Sequence, residues 1–560
     1  MKKPSSVEPA GEGDFRLNMK KTMMGLMMGA ALLAFAPGMG DPYIIFKILA
    51  VGLPCLVLCS MKGPGSSLAP AAMLGLAAAC AVSLSSVDIG YAIVGSRLHP
   101  FDSLLALFGL FAVLCAAARS EVAPESLAKM ICWASLPMSF YAFYQRIVGN
   151  NDPLIPAGAS IPYGMRVLST QGSPLYLGAC LAIVAVCAAH LMKRKELIGS
   201  AAMACAIPAL WFTQTRGAIL AAAIGVVLVF KWYRLLLVAP FAFMARAAMQ
   251  SDMGRVEVWK IAFRSFMDHP WLGWGPGNFY LAFRKNQSWG MVEVFGTSMS
   301  SQAHAHNDIL QVLVLGGVLA LAAYLMIWGG IASKIWGMQG DKKALMVGMV
   351  GAFVAVSSFN PVPYSASVLF VAMLGAVTAG GAGKRLLPAL SSLLVVLIAA
   401  PLCMAEKYYA DGIRSLSSGD VVGEAAAMTM AAKYNPFEVQ IACRQANAFQ
   451  RLIAASAQAE ARLPLSRISY GIAKEAVGRH PNDSYAHELY GKNVLLLHMA
   501  GQPQNPQEAL DHFNKAQELA PMFKPIMVRR YVTARGIGDG REAARAKADM
   551  LELDSHWGKL

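Results

Sequence analysis

Residues 303–333 read AHAHNDILQVLVLGGVLALAAYLMIWGGIAS, a short polar segment followed by an uncharged apolar run at 309–333. About 20 apolar residues in a row are enough for a helix to cross the hydrocarbon core of a bilayer. Asn307 and Asp308 stand where a side chain that caps a helix is expected. The stretch therefore predicts a transmembrane helix that begins beside two histidines, His304 and His306.

The same hydrophobic character runs through most of the chain. Of its 560 residues, 56% are hydrophobic and 14% are charged, whereas soluble domains have about 25% charged residues. Many apolar blocks are about 17 to 25 residues long, the length of a membrane-spanning helix. They predict an all-α fold, a polytopic transmembrane helical bundle of about 13 spans. The predicted spans are 22–40, 43–61, 68–86, 103–118, 127–148, 175–192, 198–213, 218–230, 235–246, 309–333, 345–359, 364–379 and 386–403.

The basic residues indicate how the chain is oriented. The net charge is +15, yet lysines and arginines stand mainly in short gaps between apolar blocks, as at 193–195, 342–343 and 384–385. This arrangement fits the positive-inside rule better than nucleic-acid binding. It predicts a cytoplasmic N-terminus and an extracytoplasmic loop at 247–304. An odd span count also puts the C-terminal segment outside the cytoplasm, and this placement depends on the short predicted span 235–246.

A change of character near residue 405 predicts two domains, a membrane domain at 1–404 and a helical domain at 405–560. Charged residues become frequent in the second domain, and three segments with helical spacing end in proline: 424–436, 472–481 and 508–521. Each resembles the second helix of a tetratricopeptide (TPR) repeat, although the prolines stand 45 and 40 residues apart instead of about 34. We expect a degenerate TPR-like solenoid that either binds a protein partner or forms a cap without one.

Three arginines are predicted on the outer face, against the general charge bias. Arg216 follows a very short turn between two spans, at a membrane depth where a guanidinium usually faces a cavity and a partner. Arg166 precedes another span, and Arg97 lies in a short turn. The planar donor fork of arginine matches a diphosphate. Jointly they predict an anion site, although contact with lipid phosphate would explain each one alone.

The outer loop at 247–304 holds further candidates. Arg255 and Trp259 are four residues apart, and so lie on one face of a helix. Trp271 and Trp274 stand in a segment rich in glycine and proline. These two tryptophans fit the interfacial aromatic belt better than stacking on sugar rings.

The histidines at the end of this loop are the candidates for proton transfer. A histidine near its ordinary pKa accepts a proton from a hydroxyl, and His306 is the first candidate, with His304 the second. Asn307 would fix the position of His306. Both histidines are also explained as interfacial caps. A metal site is not predicted, because the spacing of the two histidines offers no third ligand nearby in the sequence.

Five segments of the chain, taken together and in order, resemble the O-antigen ligase and polymerase family of bacterial inner-membrane glycosyltransferases. They are Arg166, 215–218, 255–259, 269–279 and 304–310. The resemblance covers about 166–370. It implies transfer or polymerisation of a glycan from an undecaprenyl-diphosphate-linked donor on the periplasmic face, for O-antigen or exopolysaccharide assembly. It also implies that the enzyme needs neither a metal nor another cofactor.

The resemblance assigns roles to the candidate residues. Arg166 and Arg216 would hold the diphosphate and stabilise the charge of the leaving group, while His306 would lie near the acceptor hydroxyl. These three are the expected catalytic residues. The expected substrate-binding residues are Arg255, His304, Asn307, Trp259 and Arg97.

The sequence leaves the acceptor and two other functions open. A glycan chain, lipid A core or a protein hydroxyl would each serve as acceptor, and the last would make the chain a protein O-oligosaccharyltransferase. A polysaccharide or lipid transporter (a flippase) is an alternative from another class, but the two halves of the chain show no internal hydropathy repeat. A membrane scaffold for the helical domain is the least favoured alternative.

Overall fold

The computed structural model describes residues 12–97, 99–154, 166–232, 250–295, 297, 301–456 and 459–557. These residues form 23 α-helices and one two-stranded antiparallel ribbon. The ribbon is a small addition to the predicted all-α fold. The elements up to the C-terminal domain are α1 (Glu12–Leu33), α2 (Ile45–Ser60), β1 (Pro64–Ser66), α3 (Ala69–Leu84), α4 (Ile89–Val94), α5 (Leu104–Ser120), α6 (Pro124–Val148), α7 (Pro174–Lys193), α8 (Leu197–Thr213), α9 (Arg216–Phe230), α10 (Gln250–Asp268), α11 (Phe279–Asn286), α12 (Trp289–Phe295), α13 (Asp308–Trp336), α14 (Gly340–Ser357), α15 (Tyr364–Val377) and β2 (Ala379–Ala382).

Several of these helices fit a membrane bundle. Helices α7, α13 and the later α16 (Leu386–Ser417) are long and apolar enough to cross a membrane, judged by length and composition. Six others are apolar but shorter: α2, α3, α5, α8, α9 and α15. The chain is therefore a multi-pass membrane protein. Its span count stays a prediction, because the predicted span 235–246 lies outside the described residues.

Helix α7 forms the centre of the bundle. All its residues from Leu177 to Leu191 are buried. Gly225 of α9 lies against Val186 of α7 and against the backbone of Gly348 in α14. Small residues at such crossings let membrane helices approach closely, and van der Waals packing then holds them together. This packing holds α9, which begins at Arg216, against α7 and α14.

Helix α13 is interrupted, which the sequence analysis did not predict. Gly317 has φ 59° and ψ −158°, so the helix is broken there. The loop before α11 fills the break: the backbone N–H groups of Trp274 and Gly275 donate to the carbonyls of Val314 and Leu315, both at 2.8 Å. The predicted span at 309–333 is thus found as α13. At the break, a neighbouring loop takes over backbone hydrogen bonds of the helix.

The C-terminal part of the chain consists of helices that pack against their neighbours in sequence. They are α16 (Leu386–Ser417), α17 (Val421–Tyr434), α18 (Val439–Ala455), α19 (Ala459–Arg479), α20 (Ser484–Met499), α21 (Pro506–Leu519), α22 (Lys524–Gly536) and α23 (Gly540–Trp557). Helix α16 runs through the predicted domain boundary at residue 404. The TPR-like character of this region stays a prediction.

This helical region contacts the loops of the membrane domain that carry the candidate residues. His480 and Asp88 form a buried ion pair, and the hydroxyl of Tyr91 donates to Asp483 at 3.2 Å. Arg284 of α11 stacks on Tyr485, with 4.0 Å from the guanidinium carbon to the ring centre. The helical region therefore lies on the same side of the bundle as the loop before α11.

Candidate functional site

Arg166 and Arg216 lie on either side of one turn. Nε of Arg166 donates to the carbonyl of Thr213 at 2.8 Å, and its Nη2 donates to Oγ1 of Thr215 at 3.2 Å. Gln214, between Thr213 and Thr215, has a left-handed backbone with φ 52°. The chain therefore reverses sharply there, and α9 begins at Arg216. The N-terminal end of a helix carries a partial positive charge. The turn thus combines two guanidinium groups with a helix end that favours anions.

Asn360 connects this turn to Arg255. Its buried side chain lies against Gly217, the residue after Arg216. Nη2 of Arg255 lies 3.5 Å from Oδ1 of Asn360. Nδ2 of Asn360 is buried and has no hydrogen-bond partner among the described residues. Asn360 was not among the predicted site residues, and its only signal in the sequence is an amide in the short turn between two apolar helices.

His306 lies close enough to Arg255 for the charge of the arginine to act on it. Burial lowers the pKa of His306 to about 4, and the charges of Arg255 and His99 add to this effect. The imidazole is therefore neutral at neutral pH. Its Nδ1 is buried without a hydrogen-bond partner among the described residues. Such a ring nitrogen is suited to accept a proton from a bound hydroxyl.

Asn307 caps α13, as expected, and also joins the histidine loop to the turn that holds Asn360. Its Oδ1 accepts from the backbone N–H of Leu310 at 3.1 Å. Its Nδ2 donates to the carbonyl of Ser358 at 3.4 Å. Asn307 therefore fixes the start of the helix relative to the neighbouring turn, which supports a positioning role.

His304 lies in a buried group with His99 and Asp102. One ligand atom from each of the three lies within 4.8 Å of the other two, a spacing that would suit a metal ion. However, Nδ1 of His304 accepts a hydrogen bond from the backbone N–H of His306 at 2.8 Å. Because a neutral imidazole has one proton, that proton is on Nε2. In this conformation neither nitrogen of His304 is available to bind a metal.

The tryptophans differ in their surroundings. Trp259 lies one helical turn after Arg255, and its buried Nε1 has no hydrogen-bond partner among the described residues. Trp274 is buried, and its Nε1 donates to the carbonyl of Ser265 at 2.8 Å. Trp271 is 74% exposed. Packing therefore accounts for Trp274, whereas the indole N–H of Trp259 is suited to meet a ligand.

Arg97 lies apart from the other candidates. Its guanidinium donates two hydrogen bonds to Glu406, at 2.9 and 3.0 Å, and stacks on Tyr409. Its backbone N–H donates to Glu438 at 2.8 Å. These contacts tie the loop around Arg97 to α16 and to the start of α18. A structural role is thus sufficient to explain this arginine, because its guanidinium is engaged by Glu406 and Tyr409.

Asn360 thus lies near both Arg255 and the residue after Arg216, and Arg166 is bonded to the turn before Arg216. His306 belongs to the same region through the charge of Arg255. One comparison with known proteins covers part of this region. Residues 168–325 match the model of the O-antigen ligase family, which confirms the resemblance drawn from the sequence. The match includes Arg216, Arg255 and His306. The search of curated proteins found no match for the chain.

Proposed function

We propose that this chain transfers a glycan from undecaprenyl diphosphate to a hydroxyl on the periplasmic face of the inner membrane. Its residues 168–325 match the model of the O-antigen ligase family. The family match supports glycan transfer in a membrane. Two observations carry the residue roles. Asn360 lies against Gly217, next to Arg216, and forms a hydrogen bond with Arg255. The charge of Arg255 in turn acts on His306. Together they join positive charge to a neutral imidazole.

The proposed reaction is a single displacement. The acceptor oxygen forms a bond to the anomeric carbon of the donor glycan, and the bond between that carbon and the diphosphate oxygen breaks. The bonding electrons leave with the diphosphate, and the proton of the acceptor hydroxyl goes to His306. Arg166 and Arg216 hold the diphosphate and stabilise the negative charge that develops on it.

The charges of the region suit this sequence of events. Without substrate, burial and the nearby Arg255 keep His306 neutral. A bound diphosphate adds negative charge next to the same residues, and negative charge raises the pKa of a histidine. Donor binding would therefore make His306 a stronger base at the stage when the acceptor proton is transferred.

We also propose that the transfer needs no metal ion. The donor is already activated by its diphosphate leaving group, so the protein has to supply position and positive charge. Guanidinium groups supply that charge here. The proton on Nε2 of His304 also argues against a metal at His99, Asp102 and His304. Unchanged transfer after treatment with a chelator is the expected result.

A gel profile of envelope glycans tests the function and identifies the acceptor. The profile compares a deletion strain with the same strain carrying the wild-type chain. Single repeat units on lipid A core in the deletion strain would identify a polymerase. Long chains that remain on undecaprenyl diphosphate, with bare core, would identify a ligase. Loss of glycan from a protein alone would identify a protein O-oligosaccharyltransferase, and a normal profile would contradict glycan transfer.

A further inference from the structure

A group of side chains behind His306 connects the histidine loop to the loop before α5. Oδ2 of Asp102 accepts a hydrogen bond from Nε2 of Gln311 at 2.7 Å. Oε1 of Gln311 accepts from the backbone N–H of Ala305 at 2.7 Å. Asp102 is therefore linked, through one amide side chain, to the backbone between His304 and His306.

The histidines form a second link from the same carboxylate. Oδ2 of Asp102 lies 3.3 Å from Nε2 of His99, and the ring centre of His99 lies 5.1 Å from that of His304. Nδ1 of His304 accepts from the backbone N–H of His306. The protonated Nε2 of His304 lies 3.8 Å from Oδ1 of Asp308. The hydrogen bond at Nδ1 thus restrains the orientation of the His304 ring.

The two links reach the backbone N–H groups of Ala305 and His306, and His306 has an unusual backbone conformation. His306 has φ 56°, in the left-handed region. A non-glycine residue stays in such a region only where its surroundings hold it there. The two backbone hydrogen bonds at Ala305 and His306 supply that restraint, and both lead back to the group around Asp102.

We propose that Asp102 is a positioning residue for glycan transfer, and that it fixes the backbone of His306 through Gln311 and His304. The proposal rests on the proposed role of His306 as acceptor of the proton. It gives a function to a loop residue of the first part of the chain, outside the region that matches the family model. Asp102 itself is not expected to touch the donor.

The electrostatic state of Asp102 is consistent with this role. Burial opposes its charge, but the neighbouring His99 and His304 and the hydrogen bond from Gln311 hold the pKa of Asp102 below its usual value. These neighbours therefore favour the charged form of the carboxylate. A charged acceptor gives stronger hydrogen bonds than a neutral one.

The first test compares Asp102→Asn with wild type as full-length protein in liposomes, with lipid-linked donor extracted from the deletion strain. We expect kcat to fall about tenfold to a hundredfold, as for a misplaced catalytic group, while KM for the donor stays within about twofold because the arginines are unchanged. Gln311→Met should give the same pattern. Ser103→Ala is the matched control, because Ser103 caps α5 beside Asp102 without contacting the histidines.

The second test combines Asp102→Asn with His306→Ala. If Asp102 acts through His306, the double variant should be no slower than His306→Ala alone. An added loss in the double variant, or a wild-type kcat in folded Asp102→Asn, would overturn the positioning role. If His306→Ala is itself fully active, the proposed role of His306 fails instead. The thermal midpoint of each variant shows whether it is folded.

Discussion

Guanidinium groups and one imidazole define the region at the scale of single residues. Arg166 is held by two hydrogen bonds to the turn before Arg216. His306 is kept neutral by burial, with Arg255 adding to that effect. A neutral base beside fixed positive charge fits a reaction in which a proton leaves the acceptor and negative charge develops on the donor.

Replacement of Arg216 by lysine should impair transfer although the charge is kept. Lysine is a point charge and does not provide the two parallel donors of a guanidinium. Loss of a hydrogen bond to a charged group costs about 1.5 to 3 kcal/mol, which corresponds to a fall of kcat/KM of roughly tenfold to a hundredfold. The measurement is initial rate against donor concentration. The control is Arg264→Lys, at an exposed position of α10, which should behave as wild type. Wild-type behaviour of Arg216→Lys would show that the two donors of the Arg216 guanidinium play no part.

The pH profile should report the environment of His306. For wild type, kcat/KM should fall on the acid side near pH 4, since the pKa of His306 lies at about 4 and only the neutral imidazole accepts a proton. Arg255→Gln removes a positive charge that lowers this pKa. The fall of kcat/KM on the acid side should then occur at higher pH than in wild type. An unshifted profile in Arg255→Gln would show that Arg255 does not act on the titrating base.

The interrupted helix α13 is the main feature at the scale of elements. Pairs of adjacent glycines occur twice in it, at 316–317 and 329–330, but a break is found only at Gly317. The difference is the neighbouring loop, whose backbone pairs with Val314, Leu315 and Val318. Sequence alone predicts the helix from the length of the apolar run. It does not predict the break, because the loop that stabilises the break is distant in the chain.

Gly317→Ala should destabilise the protein, and Gly329→Ala should not. A Cβ at Gly317 would overlap the backbone of Trp271, and the φ and ψ of Gly317 fall in a region used almost only by glycine, at a cost of about 1 to 3 kcal/mol for other residues. No atom lies within 4 Å of a Cβ at Gly329. Thermal unfolding in detergent measures both variants. Equal midpoints would contradict the observed break.

The contacts between the two regions of the chain are the main feature at the scale of the whole molecule. Apolar runs predicted the helices of the membrane domain, and residue types predicted Arg216, Arg255 and His306 as members of one site. Asn360 and Asp102 were missed, because their partners are far away in sequence. The ion pairs that join the helical region to the loops around Asp88 and Arg97 were missed for the same reason. The pair between Arg97 and Glu406 gives Arg97 a structural role.

Docking of the helical region should weaken as pH rises from 6 to 8. Despite burial, Asp88 raises the pKa of His480 above 6.5, so the ion pair is fully present below pH 6.5 and is lost as pH rises through the raised value. Burial raises the pKa of the neighbouring Glu438 to about 7, so its ionisation disfavours docking over the range from 4.5 to 7. Burial also raises the pKa of Asp483. All three act in the same direction.

Amide hydrogen exchange of α4, corrected for the intrinsic effect of pH, measures this docking. Protection of α4 should be lower at pH 8 than at pH 6, and His480→Gln should reduce the difference. The facing groups Arg97 and Tyr91 keep one charge state in this range, because the pKa of each is raised above its ordinary value. Equal protection at both pH values would show that these groups do not control docking.

The most direct measurement of the central claim is the release of undecaprenyl diphosphate by the purified full-length chain in liposomes. Donor and acceptor would come from extracts of the deletion strain, and wild type would be compared with His306→Ala. The wild-type chain should release the lipid diphosphate as glycan is transferred. His306→Ala should be about 100-fold to 10,000-fold slower, the usual contribution of a general base. A folded His306→Ala variant that releases the lipid at the wild-type rate would contradict the assignment of His306, and no release by wild type would contradict glycan transfer.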